Sequence, residues 1–430
     1  MTLYEDMTKA QTREELAALR ETHGRHKAKG LALNMTRGVP SREQLELSRG
    51  LLSCLGEDDH TAENGTDCRN YGLLDGIPEM KRIFADILDV APDEVIVGGN
   101  SSLTLMFDNV SSNMSHGVRD GEPWSLQGKV KFICPVPGYD RHFTICDYFR
   151  IEMLPVDMTP EGPDMDTVER LVSSDPLIKG MWCVPVFSNP TGNVYSDAVV
   201  RRIAAMRPAA DDFRLYWDNA YAIHRLRGSE RRIPNIIREC AEAGNEHMPL
   251  VFASFSKVTF SGAAVTCMAS SRSNCEYIKR RLTAQTIGPD KLRQLMHARF
   301  FRDADGVREH MKKHAAVLRP KFELVDSMLA SRLGGLGIAS WSSPEGGYFV
   351  SVDVLPGCAR RVVALCKDAG VALTPAGATY PRGEDKRDAN IRLAPTFPPL
   401  DELRLAMEVF CDSVRLAAAE TLLGETEGAL

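Results

Sequence analysis

The chain has 430 residues, of which 43% are hydrophobic and 26% charged, so it has the composition of a globular protein and is long enough for two domains. The 52 lysines and arginines against 58 aspartates and glutamates give a net charge of −6, which gives no electrostatic reason to expect nucleic-acid binding. No apolar stretch reaches the roughly 20 residues that a membrane-spanning helix needs, so no membrane association is expected.

The cysteine pattern indicates a reducing compartment. The 11 cysteines are odd in number, lie between Cys54 and Cys411 without CxxC spacing, and most of them stand in apolar runs. Because the N-terminus also lacks the basic-then-apolar pattern of a signal peptide, we expect a cytoplasmic protein. His310 and His314 lack an acid or a third ligand beside them, so we expect them on a solvated helix face and expect no metal site.

The predicted elements begin with a charged helix over residues 8–30, an extended segment over 31–40 and a helix that starts at Ser41, with Gln44 in the capping-box position. From residue 95, strands alternate with helices, which predicts an α/β fold with a mostly parallel, seven-stranded sheet. The seven predicted strands cover residues 95–97, 130–134, 151–156, 180–186, 214–217, 250–255 and 264–270. The last two are predicted to be antiparallel, because only about eight residues join them and a parallel crossover needs a dozen or more.

A change of pattern near residue 305 predicts a second domain. A long helix over 305–333 is followed by short strands and helices, the last helix covering 400–418. We therefore expect residues 50–304 to form a large domain, and residues 305–430 to form a smaller α+β domain together with an N-terminal segment, residues 1–49.

One lysine stands at the end of an apolar run. Leu-Val-Phe-Ala at 250–253 is followed by Ser254-Phe255-Ser256-Lys257, so a strand would present this amine at the carboxyl edge of the sheet, where ligands bind in open α/β folds. Partial burial lowers the pKa of a lysine, which makes Lys257 a candidate Schiff-base nucleophile. Taken alone, a solvated loop lysine is the commoner explanation.

Five further features fall at strand ends or turns, and each is ambiguous by itself. Gly-Gly-Asn-Ser-Ser at 98–102 could cradle an anion at a helix N-terminus or could be a capped turn. Tyr139 could stack on a flat ring or pack in a core, and Asn189 could donate to an oxygen or only help to turn the chain. Asp218 ends an apolar strand and needs a partner, while Arg392 suits either a carboxylate clamp or an internal salt bridge.

Together these residues match the parts of a pyridoxal-phosphate site. The sequence resembles the aspartate aminotransferase family of fold-type I pyridoxal-phosphate enzymes from about Asn34 to about Val409. The resemblance rests on the order of Asn-Tyr-Gly at 70–72, Gly-Gly-Asn-Ser-Ser at 98–102, Pro-Gly-Tyr at 137–139, Asn-Pro-Thr-Gly at 189–192, Asp-x-x-Tyr at 218–221, Ser-Phe-Ser-Lys at 254–257 and Arg392. It implies that the large domain binds pyridoxal 5′-phosphate and that the protein is a homodimer with shared active sites.

The resemblance also implies roles around the cofactor. Lys257 would form the Schiff base and move a proton at the substrate Cα, and Asp218 would keep the pyridine nitrogen protonated. Tyr221 and Asn189 would donate to the phenolic oxygen of the ring. The remaining cofactor contacts would be ring stacking and phosphate binding, by Tyr139, Asn100, Ser101, Ser102, Ser254 and Ser256, with Tyr71 reaching the phosphate of the neighbouring subunit.

One position departs from the family pattern. Many members carry an arginine eight residues after the lysine, where it pairs with the phosphate, but Val265 stands there in this chain. The phosphate would then be held by hydroxyls and backbone N–H groups, with Thr259 as a further candidate. This departure indicates a divergent branch of the family.

The substrate would be an amino acid held by its carboxylates. By resemblance, Arg392 would bind the α-carboxylate and Gly38 would close over the substrate with its backbone N–H. A distal carboxylate needs a second cation, for which Arg37 or Arg141 is preferred and Lys291, from the partner subunit, is a third candidate.

The function implied is a ping-pong transfer of the amino group of an amino acid, with aspartate as the expected donor, to 2-oxoglutarate through a pyridoxal-phosphate Schiff base. The nearer alternative is another reaction on the same scaffold, such as that of an aromatic aminotransferase or a C–S β-lyase. The distant alternative is a non-enzymatic pyridoxal-phosphate-binding regulator, which too few N-terminal residues and the acidic charge disfavour.

Overall fold

The computed structural model describes residues 3–36, 38–228 and 232–425. Its strands, in chain order, are β1 (Leu33–Met35), β2 (Val95–Val97), β3 (Lys131–Val136), β4 (Glu152–Thr159), β5 (Gly162–Pro163), β6 (Ile178–Cys183), β7 (Arg214–Asp218), β8 (Pro249–Ser254), β9 (Thr266–Ala269), β10 (Ala339–Trp341), β11 (Val350–Val354), β12 (Val371–Leu373) and β13 (Asn390–Leu393).

Eight of these strands form the main sheet, in the order β2-β9-β8-β7-β6-β3-β4-β5. The pairs from β8 through β4 are parallel, whereas β9 is antiparallel to both of its neighbours and β5 is antiparallel to β4. The mostly parallel α/β sheet and the antiparallel β8–β9 pair are therefore confirmed. The prediction of seven strands was wrong by one, because the eighth strand, Gly162–Pro163, is too short and too poor in apolar side chains to give a strand pattern.

The helices, in chain order, are α1 (Lys9–Ala28), α2 (Arg42–Leu47), α3 (Pro78–Leu88), α4 (Ser102–His116), α5 (Asp140–Tyr148), α6 (Met165–Ser174), α7 (Asp197–Ala205), α8 (Ile236–Glu242), α9 (Arg272–Leu282), α10 (Lys291–Phe301), α11 (Ala304–Leu333), α12 (Ala359–Asp368) and α13 (Leu400–Leu423). Within the ranges that the structure describes, none of them is both long and apolar enough to cross a membrane.

The strands at the centre of the main sheet are buried on both faces. Every residue of β6, β7 and β8 is buried, as expected of parallel strands covered by helices on both sides. This explains why these strands appear in the sequence as nearly continuous apolar runs. It also means that polar residues at their carboxyl ends, such as Asp218, are held in fixed positions.

A separate core contains most of the buried hydrophobic residues from residue 315 onward, together with apolar side chains of α1 and β1. There β10, β11 and β13 form an antiparallel sheet, and β1 pairs in parallel with β12, which ties the N-terminal segment to the C-terminal part. Helix α11 belongs to both cores: Val307 and Met311 pack with the main sheet, and Leu318 and Leu329 pack in the second core. The proposed division at residue 305 stays a prediction.

The histidine pair on α11 was wrongly predicted to be solvated. His310 and His314 are 4% and 1% exposed. Their ring nitrogens face one another at 3.1 Å, and the Nδ1 of His314 accepts from the side-chain amide of Gln44 on α2. A four-residue spacing on a helix places two side chains on one face, but it does not show whether that face meets water or a neighbouring element.

Candidate active site

The carboxyl edge of the main sheet opens into a cavity of about 150 Å³. Strands β3, β6, β7 and β8 are parallel, so the chain leaves all four at this edge. Strand β2 has the same direction, because β9 is antiparallel to both β2 and β8. The cavity is lined by Ser101, Ser102, Leu103, Met106, Tyr139, Arg141, Val184, Asn189, Asp218, Ala220, Tyr221, Ser254, Ser256 and Lys257.

The Lys257 amine lies beside two tyrosine rings. Its Nζ is 5.0 Å from the ring centroid of Tyr221 and 5.7 Å from that of Tyr348. Burial lowers the pKa of Lys257 below its ordinary value; the Asp218 carboxylate opposes this shift and the Arg392 guanidinium adds to it. A lysine with a lowered pKa has a larger neutral fraction near neutral pH, which is what a nucleophile or proton acceptor requires.

Asp218, the last residue of β7, is held by a histidine that the sequence analysis did not identify. Its Oδ2 lies 3.1 Å from the Nε2 of His142, which is 2% exposed. The imidazole stacks on the indole of Trp182, with ring centroids 4.4 Å apart and planes 9° from parallel. The other carboxylate oxygen, Oδ1, is buried and has no hydrogen-bond partner among the described residues.

A signal for His142 was present in the sequence. It follows Tyr139 by three residues at the start of α5, so both side chains point toward the same side of the helix. Their rings are in edge contact, with centroids 4.9 Å apart.

The two cavity tyrosines keep their phenolic protons. Burial raises the pKa of Tyr221 well above its ordinary value, and Tyr139 and Asp218 add to the shift. Burial also raises the pKa of Tyr139, with smaller contributions from Asp218 and Asp140. Both hydroxyls are therefore hydrogen-bond donors at neutral pH.

Arg392 reaches the cavity region from β13 in the second core. Its NH1 donates to the Oδ1 of Asn189 at 3.2 Å and to the Oδ1 of Asp140 at 3.0 Å. The guanidinium carbon lies 4.9 Å from the ring centroid of Phe349. Because Asn189 uses its oxygen for Arg392, the amide nitrogen of its side chain is left to donate to another acceptor.

The segment before α4 presents hydroxyl and N–H groups at one end of the cavity. Ser101 is the N-cap of α4, but no side chain caps this helix, so its first N–H groups remain available to an anion. Ser256 donates its backbone N–H to the Oγ of Ser254 at 3.0 Å, and the two hydroxyls contact each other. Asn100 is not part of the lining; its side chain donates to the carbonyl of Gly262 at 3.3 Å.

The structure shows where Val265 and Thr259, the two residues considered for phosphate binding after the lysine, are placed. Val265 is 1% exposed, and its carbonyl accepts from the N–H of Phe255 at 2.9 Å, so residue 265 supplies no cation. Thr259 is not at the cavity, and naming it as a candidate was wrong. It is fully buried, and its hydroxyl lies 2.9 Å from the Nε2 of His297.

The predicted substrate residues differ in where the structure places them. Gly38 packs on Phe349: a Cβ there would lie 2.6 Å from the ring, so any side chain would displace the aromatic residue that covers Arg392. Arg141 lines the cavity and makes no ion pair with any residue that the structure describes. Arg37 lies outside the described residues.

Neither Tyr71 nor Lys291 lines the cavity. Tyr71 is 78% exposed. Lys291 is buried and donates to the carbonyl of Gly72 at 3.0 Å, so its ammonium already has a partner within this chain.

Comparisons with known proteins agree with this geometry. A model of the aspartate amino-transferase family matches residues 7–426. A relative from Mycolicibacterium smegmatis is 50% identical over 420 residues, which are 96% of this chain and 98% of the relative. The aspartate aminotransferase of Corynebacterium glutamicum is 49% identical over 395 residues, 92% of this chain and 91% of that protein.

The fold is also that of a solved aminotransferase. The crystal structure of an aspartate transaminase from Corynebacterium glutamicum superposes with a TM-score of 0.95 at 47% identity, covering 97% of this chain and 98% of the other. Because the match covers nearly the whole chain, it includes both cores and the residues that line the cavity. The chain belongs to the aspartate aminotransferase family and is an aminotransferase.

Proposed function

We propose that the enzyme transfers the amino group of aspartate to 2-oxoglutarate, with pyridoxal 5′-phosphate held at Lys257. The observation that carries the proposal is the buried, unpartnered Oδ1 of Asp218, which lines the same cavity as an amine of lowered pKa. A buried carboxylate oxygen without a partner is costly. A protonated ring nitrogen would satisfy it.

The donor groups fit the rest of the cofactor. The phenolic oxygen would receive hydrogen bonds from Tyr221 and the side-chain amide of Asn189. The phosphate would lie at the uncapped start of α4 among the hydroxyls of Ser101, Ser102 and Ser254. Because Val265 provides no cation, hydrogen bonds and the helix dipole would hold the phosphate.

The chain's own residues would control proton movement and charge at the reacting carbon. When bound, pyridoxal phosphate supplies a sink for the electron pair released at the substrate Cα. Once the substrate amine has displaced it, the neutral amine of Lys257 would accept the proton from Cα and return it to the carbon on the other side of the substrate nitrogen. His142 would hold Asp218 in place, and Tyr221 would remain protonated throughout, since burial raises its pKa.

Two cations support a dicarboxylic substrate. Arg392 would bind the α-carboxylate, and Arg141, which has no ion pair among the described residues, would bind the distal carboxylate. The 49% identical relative is named as an aspartate aminotransferase, which favours aspartate as the donor.

We further propose a cytoplasmic homodimer. The exposed ring of Tyr71 is available to reach a partner's site, as the family resemblance implies. All eleven cysteines are free and ten of them are buried, which supports a reducing compartment.

The proposal is tested by a screen of amino donors with 2-oxoglutarate, which scores both keto acid and ammonia. We expect aspartate to be the best donor and no ammonia to be released. Lys257→Ala should lower kcat by about 10⁴-fold, because the proton-transfer group is removed. Turnover at the wild-type rate in that variant would exclude the mechanism, and steady ammonia release would indicate a lyase.

A further inference from the structure

The NH1 nitrogen of Arg392 is fully used before any substrate arrives. It carries two hydrogens, and it donates to Asp140 at 3.0 Å and to Asn189 at 3.2 Å. The Nε of the same guanidinium is buried and has no partner among the described residues. The edge of the guanidinium formed by Nε and NH2 is therefore the one left for a carboxylate.

In the ion pair between Arg392 and Asp140, Asp140 is the residue that water reaches more easily. Its side chain is 33% exposed, whereas that of Arg392 is 7% exposed. Asp140 is the first residue of α5, where the helix dipole favours a negative charge. It also follows Tyr139 directly, so one turn of the chain supplies both a cavity ring and the partner of the arginine.

We propose that Asp140 is a resident counter-ion of the carboxylate clamp: it fixes the guanidinium plane of Arg392 and weakens the binding of the substrate carboxylate through its charge. The inference rests on the proposed function, which makes Arg392 the α-carboxylate clamp. A buried guanidinium without a counter-ion would be costly in the substrate-free enzyme. Asp140 removes this cost without blocking the free edge.

Two substitutions separate the charge from the hydrogen bond. Asp140→Asn keeps an oxygen acceptor for NH1 but removes the repulsion that a bound carboxylate meets, so carboxylate binding should become about tenfold tighter. Asp140→Ala removes both, so the guanidinium can turn and binding should become weaker than in the wild type by about tenfold. A residue with only a structural role would not shift affinity in opposite directions.

The probe is succinate, a dicarboxylate with no amino or keto group to react. Its dissociation constant is measured by calorimetry with the cofactor-loaded protein and with the cofactor-free protein. Asp147→Asn is the matched control, because Asp147 is on the same helix but pairs at the surface with Arg382 at 3.6 Å. We expect wild-type affinity from the control and a steeper loss of affinity with salt for Asp140→Asn.

Equal or weaker succinate binding by Asp140→Asn overturns the proposal, as does tighter binding by Asp140→Ala. Absence of succinate binding in the wild type overturns it as well, since the clamp would then not hold carboxylates. The proposed function fails on a different observation, namely that no amino donor yields a keto acid.

Discussion

The candidate site has two walls that are built in different ways. The first wall belongs to the main sheet, where Asp218 and Lys257 stand at or just beyond the ends of neighbouring parallel strands. The second wall stands beside the cavity without lining it, and Arg392 connects it to the lining through Asn189. It comes from the other core and consists of single residues from distant parts of the chain, chiefly Arg392, Phe349 and Gly38. Side chains from both walls meet at Arg392, which bonds Asp140 and Asn189 of the first wall.

The difference between the walls indicates which residues act at the reacting atoms and which bind the substrate. The first wall fixes groups that act at the reacting atoms, because strand ends in a sheet buried on both faces have little freedom to move. The second wall provides groups that recognise the substrate. We therefore expect substitutions at the strand ends of the first wall to lower kcat. Substitutions of Arg392 in the second wall, or of Arg141 on α5, should raise KM.

Of the substitutions that distinguish the two walls, Asp218→Ala should have the largest effect. It removes the acceptor that the proposed cofactor needs and leaves the Nε2 of His142 without its partner. We expect kcat to fall by about 10³-fold with a small change in the KM for aspartate. A fall in affinity for aspartate with kcat unchanged would place Asp218 among the substrate-binding groups and break the division between the walls.

The second wall is tested by Arg392→Ala. The clamp is lost, and Asp140 and Asn189 are left without their donor. We expect the KM for both the amino acid and the keto acid to rise by about 10²-fold, with a smaller change in kcat. Steady-state kinetics with both substrates checks this, and an unchanged KM would remove Arg392 from the site.

The hydrogen bonds that connect His314, through Gln44 and Tyr348, to the backbone of Lys257 should be sensitive to acid. The side-chain amide of Gln44 donates to His314 at 3.0 Å and to the hydroxyl of Tyr348 at 2.8 Å, and that hydroxyl donates to the carbonyl of Lys257 at 3.3 Å. Burial lowers the pKa of His314 to about 4, and the neighbouring His310 adds to the shift. Protonation of His314 would remove the acceptor that holds Gln44.

The sign of the acid effect follows from proton linkage. Between about pH 6.5 and pH 4 the unfolded chain binds a proton at residue 314 that the folded chain does not, so the free energy of unfolding falls as pH falls. The slope should be about 1.4 kcal/mol per pH unit for this histidine. Thermal unfolding measured between about pH 6.5 and pH 4 checks this dependence of the free energy of unfolding on pH. His314→Gln should make the dependence shallower, whereas His116→Gln, at an exposed position, should leave it unchanged.

The smallest effect should come from Arg141→Gln. Arg141 lines the cavity at an exposed position, so water screens much of its charge. We expect the KM for aspartate to rise severalfold and the KM for alanine, which lacks a distal carboxylate, to stay unchanged. Equal effects on the two donors would point to another cation for the distal carboxylate.

The first wall could be predicted from the sequence because each of its residues lies close to the strand that positions it. Ser254 ends β8, Lys257 follows it and Asp218 ends β7, so the strand pattern alone placed them at one edge. The eighth strand was missed because it consists only of a glycine and a proline, which are too few residues to show the alternating pattern of a strand. His142 was missed because a buried histidine on a helix resembles any other core residue until its partner is known.

The second wall could be predicted only in part. Arg392 was recognised from its apolar neighbours and from the family resemblance, but its contact with Asp140 joins residues 252 positions apart in the chain. No sequence pattern indicated Phe349, whose ring packs against both Gly38 and Arg392 in the structure. Such contacts depend on how two cores meet, which no local pattern records.

The enzyme is proposed to transfer the amino group in two separate half-reactions, and measuring the first of them alone tests this mechanism most directly. The cofactor-loaded enzyme is mixed with excess aspartate and no keto acid, and oxaloacetate is counted. We predict one oxaloacetate per subunit, no ammonia, and no further product until 2-oxoglutarate is added. Continuous product formation without 2-oxoglutarate, or ammonia in place of oxaloacetate, would contradict the account.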